Sequence, residues 1–474
     1  MGDRATVESV DKLVSRARFA QSEAATWDQK RVDDVVAAVG WACYEPQNSR
    51  VLAERSLSET RLGNFYDLYN VHRKRVLGVM EDLHGNTTVG IIDDRPNLGI
   101  YRMAKPVGVI AVASPATAPA TGVACNLLPI LKTRNAAIIT SNPRARGVAR
   151  ATVSLIRRTL AHLSAPADLV QHLEITGREA TQALMSTADL VVAIGGAGTV
   201  RRAYASGTPA IGAGVGNATV IVDETAELSS AAEKIFTGAQ FNNGTSCSSE
   251  SNVLVHHQLA DDFRQELSRR GAYLCSDTET ARLRRVLWPD GESLDRSLVG
   301  LPALELASAA NIPISAADQK SLLVVPGVHP SIDSPLFHEK LSPVLTMATF
   351  QHFDDAVESM KAILDRCGRG HSCGIHTTRA DRIATLAEKI QVARVVVNQS
   401  TITNTGSFEN GVPFTTTLSS GTWGGCSLSE NVTWRHFLNY TTVSAPTMRR
   451  YPDKAAIFGR HWQQSVEMID CGAC

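Results

Sequence analysis

Apolar residues recur at helical spacing through the first 85 positions. Val7, Val10, Leu13 and Val14 share one face, and Val32, Val35, Val36, Val39 and Trp41 repeat the pattern. A helical N-terminal layer is predicted. Thr88-Val-Gly-Ile-Ile92 and Gly99-Ile-Tyr-Arg-Met103 are short strand-like runs on either side of Asp93-Asp-Arg-Pro-Asn97, which reads as a hairpin turn. From Gly108 the period changes. Gly108-Val-Ile-Ala-Val-Ala113, Ala136-Ala-Ile-Ile-Thr140, Leu190-Val-Val-Ala-Ile194 and Ala218-Thr-Val-Ile-Val222 are continuous apolar strands. They are separated by helices through Leu127 to Leu131, over 146–163, and from about Gly198. Such alternation implies a parallel sheet covered by helices on both faces. After a helix at about 228–240 a second alternation begins near Cys247. Its strands are predicted at 251–255, 321–325 and 394–397, its helices at 259–270 and 352–364. The fold class is therefore α/β, with two doubly wound units and a hairpin arm at about 86–105.

Composition narrows the function classes. The chain has 474 residues, 43% apolar and 20% charged, which suits a soluble globular protein of two or three packed units. Lys plus Arg and Asp plus Glu are 47 each, so no overall charge favours nucleic acid or an acidic membrane surface. No stretch approaches the roughly 20 apolar residues of a membrane span. The start, Met1-Gly-Asp-Arg-Ala-Thr6, lacks the basic and apolar runs of a secretory signal, and a cytoplasmic protein is expected. Nine scattered cysteines are unlike a disulfide framework, and most are expected to be reduced and buried.

Cys247 differs from the other cysteines. In Phe241-Asn-Asn-Gly-Thr-Ser-Cys-Ser-Ser-Glu250 it is flanked by small hydroxylated residues, the setting of an exposed nucleophile. Ile194-Gly-Gly-Ala-Gly-Thr-Val200 follows a strand and opens a helix, where glycines admit a ligand to the backbone and the helix N-terminus favours phosphate. The same run also suits a plain strand-to-helix turn. Gly212-Ala-Gly-Val-Gly-Asn217 is either a second close approach or a connecting loop. Cys471-Gly-Ala-Cys474 has the spacing of a redox or zinc half-site without a second ligand pair, and His371-Ser-Cys-Gly-Ile-His376 lacks a completing carboxylate. No metal is expected.

Further motifs follow in a fixed order: Lys105-Pro-Val-Gly-Val-Ile110, Leu131-Lys-Thr-Arg-Asn135, Asn142-Pro-Arg-Ala145, Glu339-Lys-Leu-Ser-Pro-Val344, Gly370-His-Ser-Cys-Gly-Ile-His376 and Gly421-Thr-Trp-Gly-Gly425. Together with the glycine loop and the Cys247 segment, they make nearly the whole chain resemble the aldehyde dehydrogenase superfamily, in particular its CoA-acylating branch. The last two motifs look most like the members acting on sulfoacetaldehyde. The resemblance implies a small aldehyde as substrate, NAD or NADP as cofactor, coenzyme A as co-substrate, and a homodimer or homotetramer with the hairpin as oligomerisation arm. It implies a dinucleotide-binding unit over 1–225, a catalytic unit over 226–430, and a tail at 431–474 that returns to the first unit or to a neighbouring subunit.

Carried over by position, Cys247 is the nucleophile that passes through a thiohemiacetal to a thioester. His371 either deprotonates CoA or orients the acyl group, unless it is simply structural. Ser114, Pro115, Asn142, Pro143, Gly195, Gly196, Gly198, Gly214 and Glu339 are the implied cofactor contacts, and Arg144 or Arg146 is available for a 2′-phosphate. Hydrolytic relatives carry Glu-Leu-Gly-Gly-Lys where this chain has Ile211-Gly-Ala-Gly-Val-Gly-Asn217, so the base that activates water is missing and CoA becomes the expected acceptor. One departure concerns the oxyanion. The branch's Asn is replaced by Ala118, leaving Thr117 and the Cys247 N–H as donors. A non-acylating dehydrogenase and a non-catalytic family member are the alternative readings.

Overall fold

A computed structural model describes residues 2–175, 177–327, 334–448 and 450–463; Cys471 and Cys474 lie outside them. The N-terminal pattern resolves into four helices, Gly2–Ala24, Gln29–Tyr44, Pro46–Thr60 and Phe65–Leu83. Asp28 and Asn64 cap the second and fourth by accepting the N–H groups of Arg31 and Asp67, and Pro46 opens the third. Val10, Val14, Val32, Val35, Val36 and Val39 are buried in one core with the first sheet. Trp41 and Val7 depart from the expected face and are exposed.

That sheet is parallel, in the order Val170–His172, Ala136–Ser141, Val109–Ser114, Leu190–Ile194, Ala210–Ala213. The order reverses at Val109–Ser114, and the crevice beyond the carboxyl ends of such strands is where doubly wound sheets receive ligands. The two outer strands, of three and four residues, are too short to show an apolar run in the sequence.

The second sheet has seven parallel strands, in the order Ala272–Leu274, Leu322–Pro326, Val344–Phe350, Glu250–His256, Ala218–Val222, Cys373–His376, Val395–Val397. Ala218–Val222, expected to close the first unit, pairs here instead, with Glu250–His256 and Cys373–His376. The chain thus changes sheet between Ala213 and Ala218, ahead of residue 225. Apolar content cannot distinguish the two sheets, because both have helices on their faces.

The hairpin is also shifted. Its strands are Gly90–Arg95 and Ile100–Pro106, so Asp93 to Arg95 belong to a strand, and the turn falls at Pro96–Leu98 with Gly99 at φ 62°. Pro96 lacks the N–H that would continue the ladder. Leu438–Ser444 returns from the C-terminal region and adds a third antiparallel strand, Leu438 opposite Pro106 and Ser444 opposite Ile100. Among the described residues no helix is long and apolar enough to cross a membrane.

Candidate active site

Cys247 is delivered by a left-handed turn. After the helix Leu228–Gln240, Asn242, Asn243 and Gly244 take φ of 50°, 54° and 68°, a region that Asn and Gly enter most easily. The Asn242 N–H donates to Asp67 at 2.7 Å, its Nδ2 donates to Thr245 Oγ1 at 2.7 Å, and its Oδ1 accepts the Asn64 N–H at 3.1 Å. Asn243 Nδ2 donates to the Gly63 and Gly300 carbonyls. With both amides committed, the loop that follows has little freedom.

Cys247 lines a cavity with Pro115, Thr117 and Ala118 from the loop after Val109–Ser114, and with His72 and Arg75 of the helix Phe65–Leu83. It is half-buried, less open than its neighbours in sequence suggest. Burial, and then the Glu339 carboxylate, push its pKa up to about 11, against the pull of Arg75, Ser248 and Arg394. The resting side chain is therefore a thiol at neutral pH. Alkylation of Cys247 by iodoacetamide, read by peptide mass spectrometry, should accelerate about tenfold per pH unit from 7 to 10 because only the thiolate reacts. A plateau at or below pH 8 would contradict this environment.

The uncommitted donors at the cavity include two beside the nucleophile's own turn and the loop after Val109–Ser114. Neither the Cys247 N–H nor the Thr117 hydroxyl has an acceptor among the described residues. Replacing the branch's Asn by Ala118 therefore does not empty the cavity of hydrogen-bond donors. Those two groups are the candidates for an oxyanion.

The implied cofactor residues other than Glu339 cluster at the carboxyl ends of the five-stranded sheet. Gly195 has φ 149°, Gly196 caps the helix Ala197–Tyr204 without any side-chain cap, and a Cβ on Gly196 or Gly198 would meet nothing within 4 Å. Open backbone and free first-turn N–H groups fit a pyrophosphate. The Ser114 hydroxyl is buried without a partner among the described residues. Asn142 shapes the local turn. Its Oδ1 accepts the Arg144 N–H at 3.0 Å and its own N–H donates to the Ser114 carbonyl at 3.1 Å, with Pro143 opening the short turn Pro143–Ala145. Arg144 donates to the Thr60 carbonyl and Arg146 to Glu174, so both guanidinium groups already hold protein partners.

The second glycine cluster divides. A Cβ on Gly214 would have its nearest neighbours at 3.7 and 3.9 Å, an ordinary contact, whereas one on Gly216 would lie 2.1 Å from the Cys247 carbonyl oxygen. Gly216, not Gly214, is where the fold requires a bare backbone. Its N–H also meets Glu339, whose carboxyl is pushed up to about 8 by burial. Lys340, fully buried, donates to the Ser251 carbonyl at 3.0 Å, to Ser251 Oγ at 2.8 Å and to Asn252 Oδ1 at 3.2 Å. It fastens this motif to the strand Glu250–His256 and keeps Glu339 near Cys247.

His371 is fully buried and does not line the cavity. Burial, with Arg394 adding to it, pushes its pKa down to about 3, so the ring is neutral. It is tied to the nucleophile's neighbour by a chain of hydrogen bonds. Ser248 Oγ donates to Asn404 Oδ1 at 2.7 Å, Asn404 Nδ2 donates to Ser372 Oγ at 2.8 Å, and Ser372 Oγ lies 2.8 Å from His371 Nδ1. Its Nε2 has no partner among the described residues. Gly216, Cys247, Glu339 and His371 therefore all precede four adjacent strands of the seven-stranded sheet, at its amino edge.

Arg75 was not visible as a site residue in the sequence, since a single Arg on an amphipathic helix carries no motif. Gly216 was visible only as part of a glycine cluster.

The sequence model of the aldehyde dehydrogenase family matches residues 2–279. The chain belongs to the aldehyde dehydrogenase family. Over 97% of its length it is 39% identical to the acylating sulfoacetaldehyde dehydrogenase of Cupriavidus necator, 93% of which is covered. Among solved structures, an acetylating aldehyde dehydrogenase from Geobacillus thermoglucosidasius superposes with a TM-score of 0.91 at 28% identity, covering 96% of this chain and all of that one. A propionaldehyde dehydrogenase from Rhodopseudomonas palustris, with bound CoA and an acylated cysteine, has a TM-score of 0.83 at 26% identity over 92% of this chain and 97% of its own. This aldehyde dehydrogenase falls within the acylating branch.

Proposed function

We propose that this aldehyde dehydrogenase converts a small aldehyde, sulfoacetaldehyde in the first place, to its acyl-CoA with NAD or NADP. The nucleophile is Cys247. Its sulfur adds to the carbonyl carbon as the carbon–oxygen π bond opens, the thiol proton passes to the carbonyl oxygen, and the Cys247 N–H and Thr117 hydroxyl are placed as donors to that oxygen. NAD or NADP, held by the glycine loop, Ser114 and Glu339, supplies the hydride acceptor. Oxidation leaves Cys247 as a thioester. The thiol of CoA then displaces it, regenerating Cys247 and releasing acyl-CoA.

One observation carries the choice of acceptor. Among the described residues no Asp or Glu lines the cavity, Glu339 lying outside the lining against the Gly216 N–H, and the stretch 211–217 has no carboxylate to activate water. The thioester accordingly outlives the oxidation until a thiol arrives. Without CoA, rapid mixing with aldehyde and NAD or NADP should give about one reduced cofactor per active site and then a slow phase. With CoA, turnover should be continuous, with acyl-CoA formed one-to-one. Free acid produced at full rate without CoA would reject this reading.

A cytoplasmic homodimer or homotetramer is part of the same proposal. It is supported by the balanced charge and by the exposed apolar side chains on and beyond the three-stranded sheet, among them Ile91, Tyr440, Met448, Tyr451 and Phe458.

A further inference from the structure

We infer that Arg75 is the specificity residue that selects an aldehyde carrying an anionic tail, a sulfonate above all. The inference rests on the proposed reaction for the identity of the substrate. The positive charge itself is a property of the cavity.

Arg75 lines the same cavity as Cys247, on the helix Phe65–Leu83. It is the one lining side chain charged at neutral pH. Among the described residues no Asp or Glu contributes to the lining. His72, the other basic side chain there, is closed off on both ring nitrogens, with Nδ1 3.2 Å from Thr121 Oγ1 and Nε2 2.9 Å from the Cys43 carbonyl. Burial pushes its pKa down to about 4, so it is neutral. Cys247 is a thiol at rest.

The guanidinium is under-used. Of its five N–H donors one is engaged, from Nη2 to Thr405 Oγ1 at 3.2 Å, and no carboxylate lies within 4 Å among the described residues. By contrast Arg394, the other guanidinium acting on Cys247, has each of its three nitrogens engaged, by Asn431 and by the His371 and Ser419 carbonyls. The guanidinium is half-buried, and its partial removal from water without a counter-ion is unfavourable. An anion entering the cavity relieves that cost. Guanidinium matches the paired oxygens of sulfonate or carboxylate through two parallel hydrogen bonds. A neutral aldehyde of the same size gains nothing from it. Arg75 and Cys247 line the same cavity, so one bound aldehyde can present its tail to the guanidinium and its carbonyl to the sulfur.

The test compares wild type with Arg75→Met and Arg75→Lys, using sulfoacetaldehyde, succinate semialdehyde as the carboxylate arm, and propionaldehyde as the neutral arm. The readout is the ratio of kcat/KM for each anionic aldehyde to that for propionaldehyde, at saturating CoA. Arg75→Met should lower the sulfoacetaldehyde ratio at least about 30-fold, mainly through KM, with Arg75→Lys intermediate. A ratio unchanged in Arg75→Met, whatever the absolute rates, overturns the inference. So does a wild-type preference for propionaldehyde over both anions. A carboxylate preference that Arg75→Met abolishes would keep the role and change the tail. The second measurement needs no turnover: ethanesulfonate should slow iodoacetamide labelling of Cys247 in wild type and not in Arg75→Met. If wild type makes no acyl-CoA from any aldehyde, the proposed reaction fails while this protection still decides whether Arg75 binds anions. Equal protection in both proteins overturns it.

Discussion

Cys247→Ser is expected to lower aldehyde-dependent NAD(P)H formation by at least about 10³-fold, with the circular dichroism spectrum and melting temperature retained. The exchange keeps the volume and the backbone, so the Asn242 to Gly244 turn and its ties to Asp67 and Gly63 persist. What changes is the nucleophile. A serine hydroxyl is far less acidic than even this raised thiol, and no base in the cavity lining is placed to ionise it. Any ester that formed would also be a poorer acyl donor to CoA than a thioester. Stopped-flow absorbance and intact-protein mass after an aldehyde pulse read both stages: wild type should show one acyl mass shift per chain, the variant none. A variant within tenfold of wild type would remove Cys247 from the chemistry.

The second large effect belongs to a residue with no side chain. Gly216→Ala is expected to lower kcat by about 100-fold, the scale of a displacement of about an ångström at a reacting group. The added Cβ would lie 2.1 Å from the Cys247 carbonyl oxygen and 2.9 Å from its carbonyl carbon and Cβ. These are backbone or near-backbone atoms that cannot rotate away, so the nucleophile's loop must move, and the meeting of Gly216 with Glu339 moves with it. Gly214→Ala is the control, because its nearest atoms are 3.7 Å away and should tolerate a methyl group. Steady-state kinetics of the pair, with iodoacetamide labelling of Cys247, measures the difference. Equal activity in the two variants would mean that the loop absorbs the methyl elsewhere.

Both expectations show how unevenly the site was written in the chain. The order of motifs was sufficient for the family, the candidate nucleophile and the glycine loop, because each is a local device. A thiol between small residues and glycines at a strand-to-helix turn both act through their own neighbours in sequence. Gly216 and Gly214 looked alike, since their difference lies in what stands opposite. Glu339 was legible as a motif residue but not as a half-buried acid beside a thiol. Its environment is made by Lys340 reaching Ser251 and Asn252, nearly 90 positions earlier. His371 was legible as a histidine in a motif. Its burial, its neutral ring and its linkage through Ser372 and Asn404 to Ser248 were not.

The sequence by itself determined the α/β class and most of the longer helices and strands, and it marked Cys247 as the candidate nucleophile. Period, turn residues and reactive groups are properties of short segments, and these decide such features. Only the tertiary structure decided that Ala218–Val222 joins the second sheet, that Gly216, Cys247, Glu339 and His371 gather at the amino edge of four adjacent strands, and that Arg75 enters the cavity. Strand pairing and the filling of a cavity are set by which surfaces meet across hundreds of residues. Two apolar strands with the same composition carry no mark of the sheet each will join, and a lone arginine on a helix carries none of the cysteine it will face.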